Sequence, residues 1–211
     1  LHGALIEHLD DTLATALHVP SLRPYSQHLR VNRESVRWRI GTLTPLAAEK
    51  LLEPLAAENH EFYLRDKAAA IRLAGRQRLV HCTYRDFAHH FFAAAEPTRR
   101  IVVSFVTPTS FKVDSSYQIF PSVFHLFQSL VNRWNACAGD FNLERPGLAE
   151  DLAAYTRISD YRLRLAPFSI EGNRIPAFVG ELTLTLAGAE PLTRLACMLL
   201  AYAEVCGIGI K

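Results

Sequence analysis

The chain has 211 residues, a formal net charge of +2 at pH 7 and 49% hydrophobic residues. This composition excludes intrinsic disorder and predicts one large domain or two small ones. No apolar run approaches the ~20 residues that a membrane span requires, so we expect a soluble protein without a membrane partner. The four cysteines form no CxxC motif, which is typical of core residues in a reducing, cytoplasmic compartment. Because Met198 is the only methionine, we expect further residues before Leu1.

The positive charge is carried almost entirely by arginine. Lysine occurs only at positions 50, 67, 112 and 211, so 19 of the 23 Lys and Arg residues are arginine. The planar guanidinium binds phosphate through two parallel hydrogen bonds and stacks on bases, which suits RNA. A GC-rich genome that encodes arginine in place of lysine explains the same composition, and composition alone favours this explanation.

In the first half, leucines at positions 1, 5, 9, 13 and 17 recur every four residues and predict a helical stripe. Asp10 and Asp11 could divide it into two helices, the second over residues 12–18, because Pro20 disfavours helix at the residue before it. The elements predicted after it are a strand over 36–43, a helix from Thr44-Pro45 to about 53, short strands over 62–65 and 70–73, and a helix over 84–95.

The second half predicts the order strand, helix, strand, strand, helix. The elements are a strand over 100–106, a helix from 121 to about 136, strands over 161–165 and 178–186, and a helix over 191–203. Tyr161, Leu163 and Leu165 alternate with arginines, which predicts one buried and one cationic face.

Two successive units of similar pattern predict an α+β fold. We expect two tandem ferredoxin-like (RRM-like βαββαβ) domains, at residues 1–96 and 97–211. On this interpretation, we expect the first strand of the first domain and the last strand of the second domain to be missing from the chain.

Most catalytic motifs are absent from the sequence. There is no phosphate-binding P-loop, no nucleophile elbow and no dinucleotide-binding glycine pattern. His81-Cys82 and His89-His90 match no zinc spacing. We therefore expect no metal and no cofactor.

His18 is the strongest catalytic candidate. The partial negative charge at the end of the predicted helix 12–18 favours its imidazolium form. Cleavage of RNA by its own 2′-OH needs proton transfer at two oxygens and a cation near the phosphate. Arg23, Tyr25 and Ser26 follow in one predicted loop and could hold that phosphate. The alternative is that His18 is only a helix C-cap.

Several stretches, taken together, resemble one known family. These are residues 1–5 (LHGAL) with 12–18 (TLATALH), 24–26 (PYS), 105–111 (FVTPTSF) with 121–135 (PSVFHLFQSLVNRWN), and 178–180 (FVG) with 202–211 (YAEVCGIGIK). In this order they are similar to the CRISPR-associated repeat-processing endoribonucleases, the sixth Cas family of the RAMP superfamily. The matches span nearly the whole chain.

The resemblance implies a metal-independent endoribonuclease that cleaves CRISPR precursor RNA within the repeat and leaves a 2′,3′-cyclic phosphate. It places the catalytic histidine at His18, with Arg23 and Ser26 as its candidate partners. The tyrosine that assists in some members corresponds to Ile6, and the loop lysine of other members is absent. The expected RNA-binding residues are Tyr25, Arg37, Arg39, Lys112, Arg133, Gly207, Gly209 and Lys211.

Two other hypotheses remain. The chain could be a catalytically inactive RAMP-type RNA-binding subunit of a CRISPR effector complex, since the usual partners of the histidine are absent. It could also be a tandem ferredoxin-like small-molecule or regulatory domain with no role in RNA binding, although such a domain does not need the terminal GIGIK sequence. The expected partners are repeat RNA, effector-complex subunits and a second copy in a homodimer.

Overall fold

The computed structural model describes residue 5 and residues 23–33, 35–56, 61–64, 68–170 and 172–209. The first half contains β1 (Tyr25–Val31), β2 (Val36–Thr42), α1 (Pro45–Leu52), a 3₁₀ turn (Pro54–Ala56), β3 (Glu61–Leu64), β4 (Ala69–Arg72) and α2 (Tyr84–Phe92). The second half contains β5 (Arg100–Thr109), β6 (Phe111–Val113), β7 (Ser116–Gln118), α3 (Val123–Cys137), α4 (Leu148–Ala154), β8 (Thr156–Leu165), β9 (Phe168–Ile170), β10 (Asn173–Ile175), β11 (Phe178–Leu186) and α5 (Glu190–Cys206). Within these residues no helix is both long and apolar enough to cross a lipid bilayer.

Helix α1 begins where the sequence predicted it. The Thr44 hydroxyl accepts a hydrogen bond from the Ala47 amide at 3.2 Å, and Pro45 occupies the first turn. An N-cap hydroxyl and an early proline are local signals, because both act on amides that the helix leaves unpaired.

Helix α2 is shorter than predicted. It begins at a capping box formed by Thr83 and Asp86 but ends at Phe92 rather than near residue 95. Arg194 of α5 donates hydrogen bonds to the carbonyl oxygens of Phe91, Ala94 and Ala95. A tertiary contact thus satisfies the carbonyls at this end of the helix.

The segment predicted as a loop after residue 23 is mostly strand. Strand β1 pairs antiparallel with β2, with Tyr25 opposite Thr42 and Val31 opposite Val36. The alternation of Tyr25, Leu29 and Val31 with polar residues was the missed signal for this strand. In the second half, α3 starts two residues later than predicted and is capped by Ser122. Helix α4 and the hairpins β6–β7 and β9–β10 were not predicted.

The largest sheet has the antiparallel order β5-β11-β8. In β11 the alternating apolar side chains Phe178, Leu182, Leu184 and Leu186 are buried, as predicted. In β8 the prediction of a buried face is wrong at Tyr161 and Leu165, which are 57% and 64% exposed. They pair with Leu182 and Phe178, but β8 is an edge strand and nothing packs fully over them.

The buried residues form two clusters. The first consists of Leu5, Tyr25, Ala47, Leu51, Leu55 and Phe62. The second contains the buried faces of α3, α5 and β11 around Trp134, together with Leu43 and part of α2. Two cores agree with an α+β chain of two units, and the domain boundary after residue 96 stays a prediction.

Candidate nucleic-acid interface

The glycine loop, defined here as residues 207–209, leaves the end of α5 in a conformation that requires glycine. Gly207 has φ 72° and donates its amide to the Ala203 carbonyl at 2.8 Å. Gly209 has φ 81°, and a Cβ there would lie 2.6 Å from the backbone carbonyl oxygen of Ser110 and 2.9 Å from the Thr109 methyl group. The predicted loop residues Gly207 and Gly209 therefore allow both the turn and a close approach to the β5–β6 junction.

The base of the β1–β2 hairpin packs against the same end of α5. The Ser26 hydroxyl donates a hydrogen bond to the Val205 carbonyl oxygen. A Cβ at Gly41 would lie 2.2 Å from that oxygen. Sequence reasoning missed Gly41, although a glycine inside a predicted strand often marks a close backbone approach.

Tyr25 and Ser26 differ from their predicted setting. Both belong to strand β1 rather than to a loop, and their side chains are only 2% and 8% exposed. Burial raises the pKa of Tyr25, and the nearby charge and hydrogen bond of Arg23 oppose that rise. Tyr25 is therefore a neutral core phenol, and Ser26 holds the hairpin against α5.

Arg133 was expected on the RNA-binding surface, but its side chain is buried. It lies on α3, is 3% exposed, and donates from Nη1 to the carbonyl oxygen of Arg23 at 3.2 Å. Its Nε has no hydrogen-bond partner among the residues that the structure describes. The guanidinium thus links the second half of the chain to the segment that enters β1.

The other predicted cations lie on strands β2 and β6. Arg39 on β2 forms an ion pair with Glu204 of α5 at 3.2 Å. Arg37, two residues earlier, is exposed. Lys112 is exposed on β6, two residues after the Ser110 backbone that Gly209 touches. His18 and Lys211 lie outside the described residues, and so does Ile6.

This arrangement can bind an anion. A glycine loop exposes main-chain amides where side chains would otherwise intervene, and such turns form anion-binding concavities. Here the loop follows the end of α5, where Glu204 pairs with Arg39, and Gly209 lies against the β5–β6 junction that precedes Lys112. Within the described residues, no group of three or more His, Cys, Asp or Glu side chains is placed to hold a metal ion.

Comparison with known proteins gives consistent matches. The family model of the CRISPR-associated endoribonuclease Cas6 matches residues 103–211. The chain is 34% identical to the CRISPR-associated endoribonuclease Cas6 of Mycobacterium tuberculosis, over 100% of this chain and 67% of that protein. It is 31% identical to the protein of that name from Streptococcus thermophilus, over 100% of this chain and 85% of that protein.

Among solved structures, the chain shares its fold with a Cas6 product complex. The TM-score is 0.82 at 22% identity, and the match covers 99% of this chain and 86% of that chain. The resemblance inferred from the sequence motifs is therefore confirmed by the family model and by relatives that match the whole of this chain. This chain belongs to the CRISPR-associated endoribonuclease Cas6 family and is an endoribonuclease.

Proposed function

We propose that this endoribonuclease cleaves CRISPR precursor RNA within the repeat and so produces mature guide RNAs. The observation that carries the proposal is the position of the glycine loop, which follows the end of α5 that contacts the hairpin base at Val205 and lies against the backbone of Ser110. The family match supports an RNA substrate for this surface. Two solved relatives are described as a product complex and a substrate mimic complex, which agrees with an RNA site in this fold.

The proposed chemistry is attack by the RNA's own 2′-OH. The 2′-oxygen forms a bond to the phosphorus, the bond from phosphorus to the 5′-oxygen breaks, and the products are a 2′,3′-cyclic phosphate and a 5′-OH. One proton leaves the 2′-OH and another reaches the 5′-oxygen, and His18 serves this transfer. A cation that neutralises the phosphate stabilises the transition state, and Arg23 is the candidate. These groups suffice without a metal.

Ser26 has a different proposed role from the one first assigned to it. Its hydroxyl is hydrogen-bonded to Val205 and its side chain is buried, so it positions the hairpin and does not contact the phosphate. Arg133 likewise donates a hydrogen bond to the backbone carbonyl oxygen of Arg23 and so holds that segment in place. We propose that both are positioning residues.

The two units are proposed to be ferredoxin-like domains in tandem. In the second unit, β5 and β8 flank β11, with α3 and α4 between β5 and β8, and α5 after β11. This order fits the first five elements of a βαββαβ unit. The names of both curated relatives favour an active enzyme over the inactive effector subunit. Assembly with effector subunits or as a homodimer stays a prediction.

Cleavage of labelled repeat RNA in EDTA tests the proposal. We expect one cut within the repeat, a 2′,3′-cyclic phosphate on the upstream product, and no cleavage when the nucleotide before the cut lacks its 2′-OH. An unrelated RNA hairpin of the same length serves as the substrate control. Cleavage of the 2′-deoxy substrate would show that water is the nucleophile, and loss of activity in EDTA would show that a metal is needed.

A further inference from the structure

The β1–β2 hairpin places two positive charges directly opposite each other. Arg30 on β1 pairs in register with Arg37 on β2, and both residues are exposed. Among the described residues, neither forms an ion pair. Like charges opposite each other weaken an antiparallel pair, so the hairpin alone gains nothing from this choice of residues.

The two arginines continue a row that begins at α5. Side chains on one face of a strand recur every second residue, about 7 Å apart. The rungs of this face are Ser26 with Gly41, His28 with Arg39, and Arg30 with Arg37. In the first rung, Ser26 donates a hydrogen bond to Val205, and in the second rung, Arg39 forms an ion pair with Glu204. The third rung lies about 14 Å from the first along the strands. The row of cations therefore starts beside the glycine loop and leads away from it.

The opposite face fixes the row in place. Tyr25 belongs to the first core cluster, and Trp38 and Ile40 pack against that cluster. The Trp38 ring meets Phe62 edge-on at 5.3 Å, and its Nε1 donates to the side-chain oxygen of Gln27 at 3.0 Å. Because one face is anchored by this packing, the cationic face has a defined orientation relative to α5.

We propose that Arg30 and Arg37, as the outer rung of this row, bind the sugar–phosphate backbone of the RNA that runs past the glycine loop. The inference rests on the proposed function, because it assumes an RNA substrate. Phosphates would neutralise these facing guanidinium groups, for which the described residues provide no ion-pair partner. Contacts to phosphate carry no base readout, so this surface contributes affinity independent of sequence.

Binding of a repeat RNA with a 2′-deoxy nucleotide at the cut tests the outer rung without cleavage. We expect Arg37→Thr to weaken binding about five-fold at about 0.1 M salt and to lower the slope of log affinity against log salt by about 0.7, the effect of one lost phosphate contact. Arg30→Thr should behave alike, and the double variant should lose about 25-fold. Arg72→Thr is the matched control, because Arg72 is an exposed strand arginine that faces Glu61 across β3 and β4.

Thermal unfolding of the same variants separates binding from folding. Removing the like-charge pair should leave the melting temperature of Arg37→Thr unchanged or about 1–2 °C higher. Arg72→Thr removes a charge opposite a carboxylate, so its melting temperature should not rise. Arg37→Glu places a carboxylate opposite Arg30, and we expect a stable protein that binds RNA still more weakly. A wild-type affinity and salt slope in folded Arg37→Thr and Arg37→Glu would overturn this inference alone. Absence of repeat binding by the wild-type chain would overturn the proposed function and this inference with it.

Discussion

Gly41 lies directly against the carbonyl oxygen of Val205. A Cβ at position 41 would be 2.2 Å from that oxygen and 3.0 Å from the Ser26 hydroxyl. The two residues are far apart in the chain, and their contact joins the hairpin that follows Arg23 to the helix that leads into the glycine loop. The base of the hairpin can reach α5 only because position 41 has no side chain.

Gly41→Ala should therefore destabilise the protein. The added methyl group must push β2 from α5, and overpacking of this kind costs about 1–3 kcal/mol. For a chain of this size, that lowers the melting temperature by about 2–4 °C for each kcal/mol. Gly75→Ala is the control, since a Cβ there meets no atom within 4 Å. Equal melting temperatures for the two variants would show that the contact between positions 41 and 205 accommodates the methyl group without loss of stability.

Gly209→Ala should impair the glycine loop without adding charge. The positive φ at position 209 strains any residue other than glycine, and the new Cβ would lie 2.6 Å from the backbone carbonyl oxygen of Ser110. We expect weaker binding of repeat RNA because the loop must move from the β5–β6 junction. Gly139→Ala shares the positive φ but has open space around it, so it isolates backbone strain. Unchanged RNA affinity for Gly209→Ala in a titration would show that the loop serves structure only.

His18→Ala tests the assignment of the proton-transfer residue. A general acid or base contributes typically 10²–10⁴-fold to the rate, so single-turnover cleavage should fall by about that factor while RNA affinity persists. His81→Ala is the control, because His81 is an exposed histidine in the segment before α2. A wild-type rate in His18→Ala would assign the proton transfer to another group.

Arg133→Met should destabilise the link between α3 and the entry to β1. It removes the donor to the Arg23 carbonyl, and a buried acceptor that loses its partner costs about 1–3 kcal/mol. Arg133→Lys keeps a positive charge and a donor and should recover part of the loss. Both can be compared by denaturant unfolding and by single-turnover cleavage. If Arg133 positions Arg23, cleavage at saturating enzyme should fall more than RNA affinity.

The burial of Tyr202 lets us predict how the free energy of unfolding changes at alkaline pH. Its hydroxyl lies 3.0 Å from that of Tyr84, and burial strongly raises the pKa of Tyr202 above its ordinary value near 10. The unfolded chain ionises this phenol first, so its contribution to stability is complete below about pH 10 and is lost as the pH rises further. Tyr202→Phe should unfold with a shallower pH dependence above pH 10. The same slope in both proteins would exclude Tyr202 as the cause.

Features that depend on neighbours in the chain were predictable from the order of the amino acids. Thr44 and Pro45 predicted the start of α1, and the alternation from Phe178 to Leu186 predicted the buried central strand. The ordered motifs identified the family. Such signals are readable because a cap acts within one turn and a strand alternates with period two.

Which of the candidate residues face solvent depends on the packing of the folded chain. Arg133 and Ser26 are polar residues that the sequence placed at a surface, yet packing buries both, while Tyr161 on an edge strand stays exposed. The pairing of Arg30 with Arg37 and the contact of Gly41 with Val205 likewise depend on which strand pairs with which and where the hairpin meets α5. Burial and register arise from contacts between residues distant in the chain, and local propensity carries no information about those contacts.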